Sequence, residues 1–512
     1  MKKNIAIKVF TLSLFILVCG PEATATASMA NHTALPPFLS QTVKPNVLVI
    51  FDTSGSMAQY AFPGNYDPNR TYGGFFDYTA NYSYNSSYKY FYEDASGSWD
   101  GNLLNWISMR RMDIAKKVLT GGRTTTAGDG STLLLGQPYP NGFGWPDGFE
   151  TYTKSYGGHS YYNQRVVDAT GPYFRLDNAT TGDPYYIRVK VDSTPQGVIQ
   201  NSGPYYRFGL QIYSPKDYAD QGGRVLCPVA QGSAAHITDI VNNINSQDML
   251  SEPVGKSCFT AMAENLYTAA GYYAQSSTVS SNGPMYASGE YQVNNVWDPY
   301  YYDTHATTIW CAKAFVIFIS DGEATHDGSL PAGLKTSYGI TGSSDDYLDD
   351  VALWAHTNDI RTSSFGIDLQ ATQSITLYTI STFGGGEDLL KSAAKFGGFV
   401  DSNSNNLPDL TSEWDSDSDG IPDNYSQAST PEELQEALYD ALYDIMKRVA
   451  AGSAISVLSS SETGKGAVYQ AFFYPKLIDS NGKEISWPGY LRAILIDEYG
   501  NLREDTDGDT IL

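Results

Sequence analysis

The sequence has 512 residues, 41% of them hydrophobic, which suits one large core plus a smaller one or extended insertions rather than a single compact domain. Its formal charge of -24 and isoelectric point near 4.5 exclude a protein that tracks nucleic acid, because nothing would release counterions from phosphates; divalent cations are the more natural partners. Acidity outside any motif is equally accounted for by solubility.

Residues 1–27 read as a signal peptide. Lys2, Lys3 and Lys8 lead into an apolar run, Val9 to Val18, that is too short to span a bilayer, and Ala25-Thr26-Ala27 offers a small-x-small cleavage site, with Ala23-Thr24-Ala25 as the alternative. The reading implies an exported chain with no transmembrane segment after signal cleavage. Cys227, Cys258 and Cys311 then remain in an oxidising compartment that permits a disulfide. Cys258 and Cys311 both precede predicted elements of one core and are the favoured pair, although sequence does not fix the pairing.

Asn46 to Phe51 is a continuous apolar run ending in a polar loop, as expected of a strand buried on both faces of a parallel sheet. A stretch at about 58–100 is rich in Tyr, Gly, Asn and Ser and reads as an insertion. Leu103, Ile107, Ile114 and Val118 share one face of a helix stopped by Gly121-Gly122. A second insertion, about 123–250, contains Tyr186 to Val191 and Tyr205 to Tyr213, which alternate like strands and predict a small β-rich subdomain. Its Tyr-rich surface suits recognition, since Tyr offers rigid contact area at low entropy cost; a decorated loop without a partner is the plainer alternative.

Further helices are predicted around Met262, Leu266 and Ala269, around Leu348, Val351, Ala352 and Ala355, and around Leu389, Leu390, Ala393 and Ala394, with a second buried strand at Ala314 to Ile319. Thr430-Pro431-Glu432-Glu433 is a helix start with a capping-box Glu, ahead of Leu434, Leu438, Leu442, Ile445 and Val449. Alternating buried strands and amphipathic helices predict a doubly wound α/β domain over 45–451. A Gly/Ser-rich linker is expected at 452–466 and the start of a β-rich module at 467–512, where Val468 to Tyr474 and Tyr490 to Ile496 look like strands.

Asp52-Thr53-Ser54-Gly55-Ser56 follows the first strand directly. An aspartate and two hydroxyls at the carboxyl end of a sheet form an all-oxygen cluster suited to a hard cation such as Mg²⁺. With Met57 following, the loop resembles the metal-ion-dependent adhesion site of von Willebrand type A domains. That resemblance implies a site completed by Thr260, which opens Thr260-Ala261-Met262-Ala263, and by Asp321, which ends the strand Phe315 to Ser320. It further implies that Ser54, Ser56 and Thr260 touch Mg²⁺ or Mn²⁺ directly while Asp52 and Asp321 act through water. An ion so weakly neutralised would accept a carboxylate from a partner.

Gly101-Asn102-Leu103-Leu104-Asn105-Trp106, Arg111-Met112-Asp113, Tyr347-Leu348-Asp349-Asp350, Val468-Tyr469-Gln470-Ala471-Phe472-Phe473 and Trp487-Pro488-Gly489-Tyr490-Leu491 resemble the PilC/PilY family of type IV pilus-associated proteins. The resemblance runs with gaps from about Asn46 to Leu512. It implies a role in adhesion and pilus biogenesis at the cell surface, the pilus tip or the outer membrane. The partners it implies are pilin or minor pilins and a host or surface ligand that presents a carboxylate. Members of the family usually carry a C-terminal β-propeller, and functions tied to that propeller are not inferred for these residues.

A Ca²⁺-loop region is predicted at 401–426. Asp415, Asp417, Asp419 and Asp423 stand at alternate positions around Gly420, with Ile421 offering its carbonyl. Ser426 replaces the closing Glu of an EF-hand. Fourteen residues earlier, Asp401, Asn403, Asn405 and Asp409 repeat the pattern with weaker ligands, and Asp505-Thr506-Asp507-Gly508-Asp509 begins a third copy. A solvated acidic linker is the plain alternative. No His-Glu-x-x-His pair, phosphate-binding Gly-x-x-x-x-Gly-Lys loop or Gly-x-Ser-x-Gly elbow is present. The expectation is therefore binding without catalysis. A structural or Ca²⁺-regulated pilus component is the alternative, and metal-assisted hydrolysis a distant third.

Overall fold

The computed structural model describes residues 43–138, 151–168, 171–213, 222–247, 259–276, 291–301, 308–325, 327–328, 330–335, 346–362 and 368–450, together with the backbone of strands between 455 and 503. The predicted signal segment 1–27, Cys258 and the acidic motif at 505–509 lie outside the described residues.

Six strands form the central sheet: β1 (Asn46–Phe51), β2 (Arg207–Tyr213), β3 (Gly223–Gln231), β4 (Ala314–Ser320), β5 (Ile375–Thr382) and β6 (Tyr425–Ala428). Their spatial order is β3-β2-β1-β4-β5-β6, parallel throughout except for the antiparallel edge strand β3. The order reverses at β1 and β4, so the loops leaving these two strands open side by side at the carboxyl rim, where doubly wound sheets place ligands.

β1 shows how sequence dictates the layers. Leu48 and Ile50 enter the core under helices α3 (Met262–Ala274), α4 (Leu348–Thr357) and α5 (Glu387–Gly398), whereas Val47, Val49 and Phe51 enter the opposite core under α1 (Arg111–Thr120), α2 (Ala234–Ser246) and α6 (Pro431–Ala450). Side chains of a strand alternate between faces, so only an unbroken apolar run serves two cores.

The second insertion is shorter than the expected 123–250. Arg207–Tyr213, Gly223–Gln231 and the helix Ala234–Ser246 belong to the main domain. The polar positions of β2 are not solvent-facing: Gln211 is fully buried, and its Nε2 donates to the carbonyl of Asn265 on α3 at 2.7 Å. A buried amide with a partner mimics the alternation of a half-exposed strand. The single helix expected over 103–118 is two, Gly101–Ser108 and Arg111–Thr120, separated by extended residues at Met109 and Arg110. Asp100 caps the first by accepting from Leu103 N–H at 2.7 Å, and Asp113 reaches back to the Arg110 N–H at 2.9 Å to start the second.

The two insertions build one subdomain. Trp99–Asp100, Asn81–Asn85 and Tyr90–Glu93 from the first continue through Arg188–Val191, Thr132–Leu135 and Thr124–Thr126 from the second as one six-stranded sheet. A four-stranded sheet of Pro184–Tyr186, Gly171–Leu176, His159–Asp168 and Thr151–Tyr156 accompanies it. The shared core is aromatic, with Phe76 edge-on to Tyr82 and Phe91, and Trp99 edge-on to Phe174.

The expected linker 452–466 contains the strand Ile455–Ser460, which pairs antiparallel with Gly466–Phe473; that strand in turn pairs with Gly489–Ile496. Ser456, Ser459 and Ser460 thus sit in a ladder rather than in free coil. Among the described residues no helix is long and apolar enough to cross a membrane.

Candidate metal centre

The loop leaving β1 is built by Asp52. Its Oδ1 accepts the Ser54 N–H at 2.7 Å, folding the loop back, while Oδ2 accepts the Ser320 hydroxyl at 2.7 Å and the Asp321 N–H at 3.4 Å. Both oxygens are thus engaged by protein, and Asp52 is fully buried. It orients the loops from β1 and β4 and presents negative charge at the rim.

Ser54 and Ser56 point the other way. Their hydroxyl oxygens lie 2.9 Å apart, and Ser56 donates to Asp321 Oδ1 at 2.5 Å. Because the one proton of Ser56 goes to the carboxylate, Ser54 is the donor between the two hydroxyls, and a bound cation would take the place of that proton. Thr260 precedes α3 and closes the third side: a methyl group built on Gly322 would lie 3.2 Å from Ser56 Oγ and 3.7 Å from Thr260 Oγ1. Thr260 is held by exchange with Thr325, whose hydroxyl accepts the Thr260 N–H at 3.0 Å and whose N–H donates to the Thr260 carbonyl at 3.0 Å. The structure therefore brings Asp52, Ser54, Ser56, Thr260 and Asp321 to one rim.

The donor set fits a small hard cation. An octahedral ion with oxygens at about 2.1 Å separates adjacent ligands by about 3.0 Å. The Ser54 and Ser56 hydroxyls, a hydrogen-bonded pair at 2.9 Å, already stand close to that spacing. Burial raises the carboxyl of Asp321 to about 7, aided by the charge of Asp52 and opposed by Arg111 and Ser56; burial likewise raises Asp52, against its hydrogen bonds from Ser54 and Ser320. Two buried carboxylates at one rim create the demand for positive charge that a divalent ion would meet.

Four residues of the centre escaped the sequence reading. Ser320 holds Asp52, and Thr382 in turn donates to the Ser320 carbonyl at 2.9 Å. Asp327 accepts the N–H groups of Ala263 at 2.6 Å and Glu264 at 2.8 Å, capping α3 just beyond Thr260. Arg111, the first residue of α1, places Nη1 2.9 Å from Asp321 Oδ2 and 3.2 Å from the Asp321 carbonyl. The Ser320-Asp321-Gly322 run was a readable signal, but nothing local marks Arg111 or Asp327.

In the acidic region, carboxylate oxygens of Asp415, Asp417 and Asp419 lie within 4.8 Å of one another. Asp415 accepts the N–H groups of Asp419 at 3.1 Å and Gly420 at 2.9 Å, and Ile421 donates its N–H to Asp419 Oδ1 at 2.7 Å. Asp423 stands outside this triad, on the Ser416 N–H at 3.1 Å. The 401 loop repeats the backbone pattern. Asp401 accepts from Asn405 and Asn406, Leu407 donates to Asn405 Oδ1, and Ser404 and Asn406 share the left-handed conformation of Ser418 and Gly420. Its side chains differ in effect: the amides of Asn403 and Asn405 both donate to Asp409 at 2.9 Å, supplying the positive poles that an ion would otherwise bring.

Cys227 is buried and Cys311 exposed, so the favoured pair of Cys258 and Cys311 has one member outside the described residues.

Residues 64–181 match a family model described as "PilY1 homolog, small alpha/beta domain". The match covers most of the inserted sheets together with the two helices between them. It supports a PilY1-like relationship for this segment and with it a type IV pilus-associated role and location. Comparison with curated proteins and with solved structures returned no match.

Proposed function

We propose that the doubly wound domain is a von Willebrand type A domain whose rim binds Mg²⁺ or Mn²⁺, and that the chain serves as an adhesin and pilus biogenesis factor by capturing a partner carboxylate on that ion. The observation that carries this reading is the convergence of three loops on one rim, where the hydrogen-bonded Ser54 and Ser56 hydroxyls meet Asp321 through Ser56 and Thr260 stands beside them across Gly322. Ser54, Ser56 and Thr260 would hold the ion directly. Asp52 and Asp321, occupied by hydrogen bonds, would act through water. The bound ion would supply an electrophilic position for a carboxylate, on pilin, a minor pilin or a host surface, and the chain would bind rather than catalyse.

The Asp415, Asp417 and Asp419 loop is proposed as a Ca²⁺ site, because three carboxylates in close approach without a cation among them repel one another. The 401 loop is proposed as its self-satisfied counterpart.

Titration of the purified chain with Mn²⁺ tests the main reading. Ser54→Ala combined with Ser56→Ala should weaken binding by at least about tenfold in a variant that circular dichroism shows to be folded, and cells carrying the double variant should keep pili but lose attachment. Unaltered Mn²⁺ affinity would defeat the metal reading. Loss of assembled pili with normal Mn²⁺ binding would favour the structural role instead.

A further inference from the structure

Arg111 is an unusual neighbour for a cation site. Its side chain is 13% exposed and sits against Asp321, whose side chain is fully buried. The position is set by the fold: the Arg111 N–H donates to the Gln59 carbonyl at 3.0 Å, tying the start of α1 to the turn that follows Ser56. The guanidinium also lies over the ring of Phe383 at 5.6 Å, on the loop leaving β5. Three loops of the rim therefore fix one guanidinium beside the five oxygen-bearing residues.

Only Nη1 is spent on Asp321, and Nε is buried without a hydrogen-bond partner. A guanidinium carries five donors in a planar fork matched to a carboxylate, and with Nη1 alone spent on Asp321 and the side chain still 13% exposed, the fork keeps a donor edge for an incoming carboxylate. Charge counting points the same way. Asp52 and Asp321 bring two negative charges, a divalent ion cancels both, and Arg111 leaves the loaded rim one unit positive. A rim with the ion alone would be neutral. One carboxylate restores neutrality in the presence of Arg111, and a neutral amide or hydroxyl does not.

We propose that Arg111 is the second anchor for the partner's acidic side chain, binding one carboxylate oxygen while the ion takes the other. The assignment rests on the metal reading above and adds to it a reason why the partner group is an anion rather than any oxygen donor. It also makes Arg111 a tethered competitor of the ion for Asp321, so that removing the arginine should help the metal and harm the ligand, opposite effects that a merely structural residue would not give.

The test uses the full chain, Mn²⁺ and a capped tripeptide with a central glutamate, both followed by calorimetry. Arg111→Met should bind Mn²⁺ at least as tightly as the parent and the tripeptide about tenfold more weakly or worse. Arg111→Lys keeps the charge and gives up the planar fork; it should fall between the two. If the methionine variant does not fold, the lysine variant decides, and parent-like tripeptide affinity in it overturns the proposal. A methionine variant that loses Mn²⁺ and tripeptide in equal measure overturns it, as does a Mn²⁺-loaded parent that does not retain the tripeptide. Failure of the parent to bind Mn²⁺ overturns the metal reading and this assignment together, whereas normal Mn²⁺ binding with tripeptide affinity unchanged in Arg111→Met overturns the assignment alone.

Discussion

Ser56 gives its hydroxyl proton to Asp321, and this small fact orders much of the chemistry at the rim. A raised carboxyl in the fold means that the protonated form is favoured there relative to the unfolded chain. The associated stability is fully present below the unfolded value near 3.8 and is lost as pH rises through about 7. In chelator, the parent should therefore lose stability relative to Asp321→Asn between about pH 4 and about pH 7, as read by thermal melts, and Mg²⁺ should restore it selectively at the upper end. A flat difference between the two proteins across that window would show that Asp321 is not held this way. Asp52, Ser54 and Ser56 were legible in the sequence because they share one loop after one apolar run. Asp327 and Arg111 were not, because each acts through neighbours that are remote in sequence and adjacent only in the fold.

Among the elements, α3 depends most on a residue outside itself. Asp327 satisfies two of its leading N–H groups, so Asp327→Ala should cost about 2 kcal/mol in chemical denaturation and loosen Thr260, weakening Mn²⁺ binding more than Asp327→Asn does. The paired acidic loops offer a gain of function. Asn405→Asp removes one of the amides that satisfy Asp409 and supplies a carboxylate where Asp419 stands in the sister loop. Calorimetry should then find Ca²⁺ bound at one more site than in the parent, and unchanged stoichiometry would count against a shared loop design. Elements were legible where pattern and burial agree, as in β1 and α6. They were misread where a buried polar group has an internal partner, as with Gln211 in β2, or where a cap interrupts a continuous apolar face, as Asp113 does before α1.

For the molecule as a whole, the two insertions are fastened to each other by a buried cation. Lys154 donates to the carbonyls of Phe62, at 2.7 Å, and Trp106, and lies over the rings of Tyr60 and Trp106, where burial holds its ammonium well below the usual lysine range. Arg110 covers the other side of Tyr60, 3.6 Å from the ring centre. Lys154→Met would leave two buried carbonyls unpaired at a cost of about 2–3 kcal/mol, and limited proteolysis should then cut within 60–190 faster than in the parent. Equal cleavage rates would mean that the insertions are fastened elsewhere. The sequence revealed that the Tyr-rich stretches interrupt the fold. It did not reveal that they join each other, because the pairing of Phe91 with Val189 carries no local pattern.

The central strand carries a kinetic consequence. Asn46 pairs with Arg207 on one side and with Ala314 on the other, so this apolar central strand emerges long before either neighbour exists. Topologies of such high contact order fold slowly, since loop closure must precede any reward from pairing. Until then Val-Leu-Val-Ile-Phe is an unprotected, β-prone five-residue run of the kind that seeds aggregation. The two neighbours that bury this strand, Arg207–Tyr213 and Ala314–Ser320, complete its burial only after the inserted sheets have been made.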